Sequence, residues 1–233
     1  MRDIVICSSE RTGSTLLSEL LQGIGVCYFG TELFDDFVMK ETVLKNLPDW
    51  SMETAKRHPL DYVEAVREKW FDPSRQFCVK IHWPAYAQWR QYGLDLTKFF
   101  REPRFIFCTR ANVALQAISS VRAIQTGSWV WRQAEQRQPT YDFNKIRDRI
   151  SSLTNESVQW ETFFRDKGIS PFRCTYEGLD HDFRFVLRHA LRWIGKEVSE
   201  DQLAALNPRM KRQRDDLNFV WLHRYWAELG AMT

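Results

Sequence analysis

Ile4-Val5-Ile6-Cys7-Ser8-Ser9-Glu10-Arg11-Thr12-Gly13-Ser14-Thr15-Leu16-Leu17 is the stretch on which the reading of the whole chain turns. Its first four residues are a continuous, largely β-branched apolar run, the pattern of a strand buried on both faces of a parallel sheet. Beyond the turn, Leu16, Leu17, Leu20, Leu21 and Ile24 recur at three- and four-residue spacing, which predicts a helix over 14–24 closed by Gly23 and Gly25. A strand, a short turn and a helix make an anion site: the amides of the first helical turn have no partner within the helix, and the dipole adds about half a positive charge. Arg11 adds a full charge, Thr12, Ser14 and Thr15 offer hydroxyl donors, and Gly13 lets the backbone come close to a ligand. An ordinary strand-to-helix turn, with Thr12 or Ser14 capping the helix, would use the same residues, so the anion site needs support from the rest of the chain.

The anion is not bound as in a nucleoside-triphosphate P-loop, whose pattern G-x-x-x-x-G-K-[ST] supplies a lysine to the outer phosphates. Here Ser8 stands where the first glycine would be and Ser14 where the lysine would be. A length of 233 residues suits one α/β domain, and a hydrophobic content of 44% with ten Trp supports a packed core. The formal charge of +3, from 33 basic and 30 acidic side chains, is too balanced for a general nucleic-acid binder, so any basic site is local. No apolar run approaches the ~20 residues that span a bilayer, and the first strand follows Met1-Arg2-Asp3 directly, which predicts a cytosolic protein without a leader. Cys7, Cys78, Cys108 and Cys174 lie in apolar runs without C-x-x-C spacing and read as reduced core residues. The five histidines, His58, His82, His181, His189 and His223, form no ligand-spaced cluster, so no metal is expected.

After the first helix, Val26-Cys27-Tyr28-Phe29 runs into Gly30-Thr31-Glu32-Leu33-Phe34-Asp35 without a regular period. In an open parallel sheet this connection returns near the crevice at the carboxyl ends of the strands, which makes Glu32 either a site carboxylate or a solvated acid or helix cap. Residues 36–70 read as amphipathic helix interrupted at Pro48 and Pro59, shaping a pocket or an interface. A second strand, Gln76-Phe77-Cys78-Val79-Lys80-Ile81, leads into His82. Lys80 and His82 lie two apart and project to one side, and a lysine within an apolar strand is costly unless it meets an anion. His82 suits a base as well as a satisfied structural histidine.

A third strand over 104–108 ends at Thr109-Arg110, where ligands gather, and a helix over 112–126 carries Ser119, with Arg122 reading as a solvated charge. The pattern continues as helix over 137–168, a strand candidate over 171–177, a helix through Phe183, Leu187, Leu191 and Ile194 that stops at Gly195, and a last helix over 215–229. Between the last two, Met210-Lys211-Arg212-Gln213-Arg214 is either a solvated basic segment or one that closes over an acidic ligand. No repeat or linker divides the chain, so 1–233 reads as one domain.

With these pieces placed, the chain resembles the sulfotransferases, and among them the bacterial trehalose 2-sulfotransferase family. The resemblance rests on Ser9-Glu10-Arg11-Thr12-Gly13-Ser14-Thr15-Leu16, on Glu32-Leu33-Phe34, and on Gln116-Ala117-Ile118-Ser119. Arg122-Ala123-Ile124-Gln125-Thr126-Gly127 with Trp129, and Arg212-Gln213 with Asn218, Trp221, Arg224 and Tyr225, are similar too. It implies a P-loop-like three-layer α/β fold, a mainly parallel sheet flanked by helices, that takes 3′-phosphoadenosine 5′-phosphosulfate as sulfuryl donor. It further implies that Arg11, Thr12, Gly13, Ser14, Thr15 and Leu16 hold the phosphosulfate, that Arg110 and Ser119 hold the 3′-phosphate, and that Arg212 in the similar tail joins the donor site. The trehalose enzymes point to Glu32 as the base and to a sugar or glycolipid acceptor. Lys80-Ile81-His82-Trp83-Pro84 resembles instead the cytosolic sulfotransferases, whose histidine is the base. A homodimer is implied as well, and Trp129 and Trp131 add aromatic surface for one. A small-metabolite kinase and a non-catalytic nucleotide- or sugar-binding module are the competing readings.

Overall fold

The computed structural model describes residues 2–129, 133–208 and 215–232. Its strands are β1 (Ile4–Ser8), β2 (Cys27–Glu32), β3 (Gln76–His82), β4 (Arg104–Thr109) and β5 (Phe172–Thr175), all paired in parallel in the order β2-β3-β1-β4-β5. Between them run α1 (Ser14–Gly23), α2 (Asp36–Val38), α3 (Met52–Arg57), α4 (Pro59–Lys69), α5 (Trp83–Arg90), α6 (Val113–Thr126) and α7 (Phe143–Asp166), and after β5 come α8 (Tyr176–Trp193), α9 (Glu200–Ala204) and α10 (Asp216–Gly230).

Alternate residues of the central strands feed two cores, as a strand's period of two requires. Val5, Cys7, Phe77, Val79, Phe105 and Phe107 meet Tyr62, Trp89, Trp160 and Phe164 of α4, α5 and α7 on one face. Ile4, Ile6, Cys78, Ile106 and Cys108 meet Leu17, Leu21, Leu187 and Leu191 of α1 and α8 on the other. The run at 4–7 is a strand of a parallel sheet buried on both faces, as its pattern predicts, and the three layers are those the resemblance implies. All five cysteines are buried and free.

The irregular stretch after α1 proves to be a strand. β2 pairs with β3 through a register shift between Phe29 and Thr31, where Phe29 and Gly30 have φ of 74° and 61°. The bulge breaks the alternation that identifies a strand, which is why no period shows in the sequence. Helix α7 begins later than expected, at Phe143, where Asp142 accepts the Lys145 N–H as a cap. The segment 36–70 is helical in short pieces, including a π-helical turn at Met39–Val43, and Pro59 opens α4 in the first-turn position that tolerates proline.

One expectation fails outright: Arg122 is not a solvated charge. It is 9% exposed, donates to Asp215 at 2.5 and 2.9 Å and to Asn218, and stands 3.5 Å from Glu135. Asp215 in turn caps α10, so a buried cation on α6 anchors that helix. Asp215 and Asn218 lie 93 and 96 residues away, beyond the reach of a helical-period argument.

Candidate active site

Strand order reverses at β1, with β3 and β2 to one side and β4 and β5 to the other. Ligands of open parallel sheets bind at such a switch point, outside the carboxyl ends of the strands. There a cavity of ≈ 960 Å³ is lined by Arg11, Gly13, Ser14, Thr15, Leu16, Glu32, Lys80, His82, Arg110 and Ser119. Of the residues expected at a site, the structure thus brings ten together. Thr12 turns inward instead: it is 2% exposed and its hydroxyl donates to the Ser9 carbonyl at 3.0 Å, tightening the loop. Arg212 lies outside the described residues, as do Trp131 and the basic run 209–214.

The loop after β1 leaves the helix end open to a ligand. Gly13 is the residue preceding α1, with φ 78°, and no side chain caps the helix, so neither Thr12 nor Ser14 plays the capping part. A Cβ on Gly13 would lie 3.3 Å from both Tyr176 and Leu179 of α8, so packing as well as backbone conformation selects glycine. Arg11, with φ 62°, occupies a conformation rare for a residue with a side chain. Helix α6 holds the loop in that shape. The Gln116 amide donates to the Glu10 carbonyl at 2.7 Å, and Ser119, one turn on, accepts from Arg11 Nε at 2.9 Å, while Arg11 Nη1 donates to the Trp129 carbonyl at 2.6 Å.

Arg110, at the end of β4, donates to the Arg11 carbonyl at 3.3 Å and lies 4.3 Å from the centre of the Tyr176 ring. Burial first, and then the positive charge of Arg110, push the Arg11 guanidinium below its ordinary pKa. Two arginines of which one lowers the pKa of the other, beside a helix end, are an arrangement that a bound anion relieves. Glu177 accepts the N–H groups of Ala111 and Asn112 at 3.0 and 3.2 Å and so fixes the turn that carries Arg110. Sequence reading missed Tyr176 and Glu177. Their signal was available for Tyr176, which directly follows a strand, but none marked Glu177.

The other arm of the cavity is an ionic cluster. Glu32 is the register partner of Lys80 across β2 and β3. Lys80 Nζ lies 2.7 Å from Glu32 Oε1 and donates to Thr15 Oγ1 at 2.6 Å, so one ammonium joins the carboxylate to the anion loop. His82 Nε2 stands 3.5 Å from the same Glu32 oxygen. Burial alone would raise the Glu32 pKa, but the charges of Lys80 and His82 and the Lys80 hydrogen bond outweigh it and hold the carboxyl at about 2. The arrangement offers an extended anion two arginines, a helix end and a lysine, with a carboxylate and an imidazole beside them. No cluster of three or more His, Cys, Asp or Glu side chains able to hold a metal occurs among the described residues.

The chain is similar to known proteins along most of its length. The family model described as Stf0 sulphotransferase matches residues 3–228. Trehalose 2-sulfotransferase of Mycobacterium tuberculosis strain Erdman is 26% identical, over 100% of this chain and 98% of that protein. Trehalose 2-sulfotransferase of Mycolicibacterium smegmatis is 24% identical, over 95% and 93%. Among solved structures, the sulfotransferase domain of the olefin synthase from Synechococcus PCC 7002 superposes with a TM-score of 0.54 at 20% identity, over 94% of this chain and 82% of that one. The layered parallel sheet is thus the P-loop-like fold of sulfotransferases.

Proposed function

The chain belongs to the Stf0 sulphotransferase family, and from that membership we propose that it moves a sulfuryl group from 3′-phosphoadenosine 5′-phosphosulfate to a hydroxyl of a carbohydrate or glycolipid. The observation that carries the reading is a single cavity with a two-arginine anion arm at one end and the Glu32–Lys80–His82 cluster at the other. The two curated relatives, named for action on trehalose, support a sugar hydroxyl as the acceptor.

In this reading the first-turn amides of α1, Arg11 and the hydroxyls of Ser14 and Thr15 hold the 5′-phosphosulfate, while Arg110 and Ser119 hold the 3′-phosphate. The bond from sulfur to the phosphate oxygen breaks as the bond from sulfur to the acceptor oxygen forms, and the acceptor's proton passes to the protein. Lys80 and the loop donors stabilise charge gathering on the departing phosphate. Glu32 is the base and His82 orients the hydroxyl. An ionised carboxylate near pKa 2 is a weak base, but that value depends on Lys80 and His82. A phosphosulfate beside Lys80 would offset the ammonium charge felt by Glu32 and raise its basicity.

A thermal-shift comparison tests the donor assignment: 3′-phosphoadenosine 5′-phosphate is expected to stabilise the protein, and ATP with magnesium is not. The reverse would favour a kinase. Donor-product binding without sulfuryl transfer to any of a panel of sugars and glycolipids would favour a binding module. Chelators are expected to leave turnover unchanged within twofold.

A further inference from the structure

We infer that Phe37 is an aromatic platform for the acceptor, taking the C–H face of a hexopyranose ring while the carboxylate cluster meets its hydroxyls. The inference rests on the carbohydrate reading of the acceptor and adds the residue that would select a sugar ring over other alcohols.

Phe37 is 72% exposed and forms part of the cavity wall beside Glu32, Asp35, Lys80 and His82. Its exposure does not come from a loose segment. On one side Leu33 and Phe34 are fully or almost fully buried, with the Phe34 ring 5.1 Å from Trp89 and the Leu33 carbonyl accepting from Tyr62 at 3.1 Å. On the other side Met39 is fully buried. Between these anchors Asp35 caps α2 by accepting the Val38 N–H at 2.9 Å, and Asp36 lies 3.4 Å from both Lys56 and Gln88. A backbone pinned on both sides therefore holds a large apolar ring out over the cavity that also carries the charged groups Glu32 and Lys80 and the imidazole of His82.

An exposed aromatic leaves apolar surface in water unless a ligand covers it. The occupant must match a flat apolar face on one side and several hydrogen-bond acceptors and donors on the other. A hexopyranose has that two-sided chemistry, with axial C–H groups on one face and hydroxyls around its edge. An acyclic polyol has the hydroxyls without the face, and a lipid tail has apolar surface without the hydroxyls.

Saturation-transfer NMR with trehalose and with octyl glucoside, in the presence and absence of 3′-phosphoadenosine 5′-phosphate, reads this contact without needing turnover. The wild-type protein is expected to saturate the ring C–H protons most strongly. Phe37→Ala and Phe37→Leu should weaken sugar binding at least fivefold, Phe37→Trp should retain it, and sorbitol should bind no more tightly to the wild type than to Phe37→Ala. Affinity for 3′-phosphoadenosine 5′-phosphate should stay within twofold in every variant. Sugar affinity within twofold of wild type in Phe37→Ala, saturation confined to the octyl chain, or no sugar binding to the wild type would overturn the inference. Failure of the transferase reading would appear separately, as a wild-type protein that binds sugar but not the donor product.

Discussion

The two arms of the cavity are assembled by different means. The arm beneath β1 and β4 is made largely of backbone: a helix end without a side-chain cap, a glycine and an arginine at positive φ, and carbonyls held by Gln116 and Arg110. The arm beneath β2 and β3 is made of side-chain charge, and it exists because Glu32 and Lys80 fall opposite each other in the register of two parallel strands. Such a site distributes its grip over several donors, so losing one neutral donor costs little and losing a full charge costs more. An ionic cluster concentrates it, so each member changes the others.

The sharpest way to test this contrast is to neutralise the proposed base. Glu32→Gln keeps the shape of the side chain and removes its charge, and turnover is expected to fall about a hundredfold or more, with donor-product affinity within twofold. His82→Gln is expected to lose less than tenfold. Steady-state turnover together with calorimetric titration of 3′-phosphoadenosine 5′-phosphate checks both. Should His82→Gln lose the hundredfold while Glu32→Gln keeps its turnover, the roles are exchanged and the histidine mechanism holds.

The same contrast explains what the sequence disclosed. The anion arm was legible because Arg11, Thr12, Gly13, Ser14 and Thr15 are contiguous and sit between a recognisable strand and a recognisable helix. Lys80 and His82 were legible because a lysine at the end of an apolar strand is anomalous on its own. Glu32 was placed near the crevice only by topology, because the bulge at Phe29 and Gly30 hid the strand that carries it. The Thr12 hydroxyl, expected to face a ligand, is bonded to the Ser9 carbonyl instead, because sequence cannot tell an inward hydroxyl from an outward one. Arg122 and Glu177 escaped because their partners are contributed by other elements of the fold.

A second test goes to the anion arm. Arg110→Ala removes one full charge and leaves the helix end and Arg11 in place, and it is expected to weaken 3′-phosphoadenosine 5′-phosphate binding by about 1.5 to 3 kcal/mol. The test is the same calorimetric titration, with turnover at saturating donor expected to change less than affinity. A change below twofold in affinity would move the 3′-phosphate away from Arg110.

Acid unfolding separates the arms in another way. The folded Glu32 carboxyl, at about 2, lies below the ~4.3 of an unperturbed glutamate, so its ionic contacts stabilise the fold fully above about pH 4.5. That stability is lost as pH falls from there through about 2, because the unfolded chain takes up the proton first. Urea unfolding of wild type and Glu32→Gln at pH 6 and pH 3 is expected to show a stability difference that shrinks, by on the order of 1 to 2 kcal/mol, at the lower pH. A difference independent of pH would mean that Glu32 is not held ionised by Lys80 and His82.

The smallest effect is expected from Ser119→Ala. Its hydroxyl accepts from Arg11 Nε at 2.9 Å, which leaves its own proton for a phosphate oxygen. Removing it costs one neutral donor to the proposed 3′-phosphate and one restraint on Arg11. Arg11 keeps its bond to the Trp129 carbonyl, and the loop keeps those from Gln116 and Arg110. The loss is therefore that of a single hydrogen bond, about 0.5 to 1.5 kcal/mol, or roughly two- to tenfold in donor-product affinity. A loss as large as that of Arg110→Ala would show that Ser119 holds Arg11 in its left-handed conformation unaided, and that this arm is no more redundant than the ionic cluster opposite.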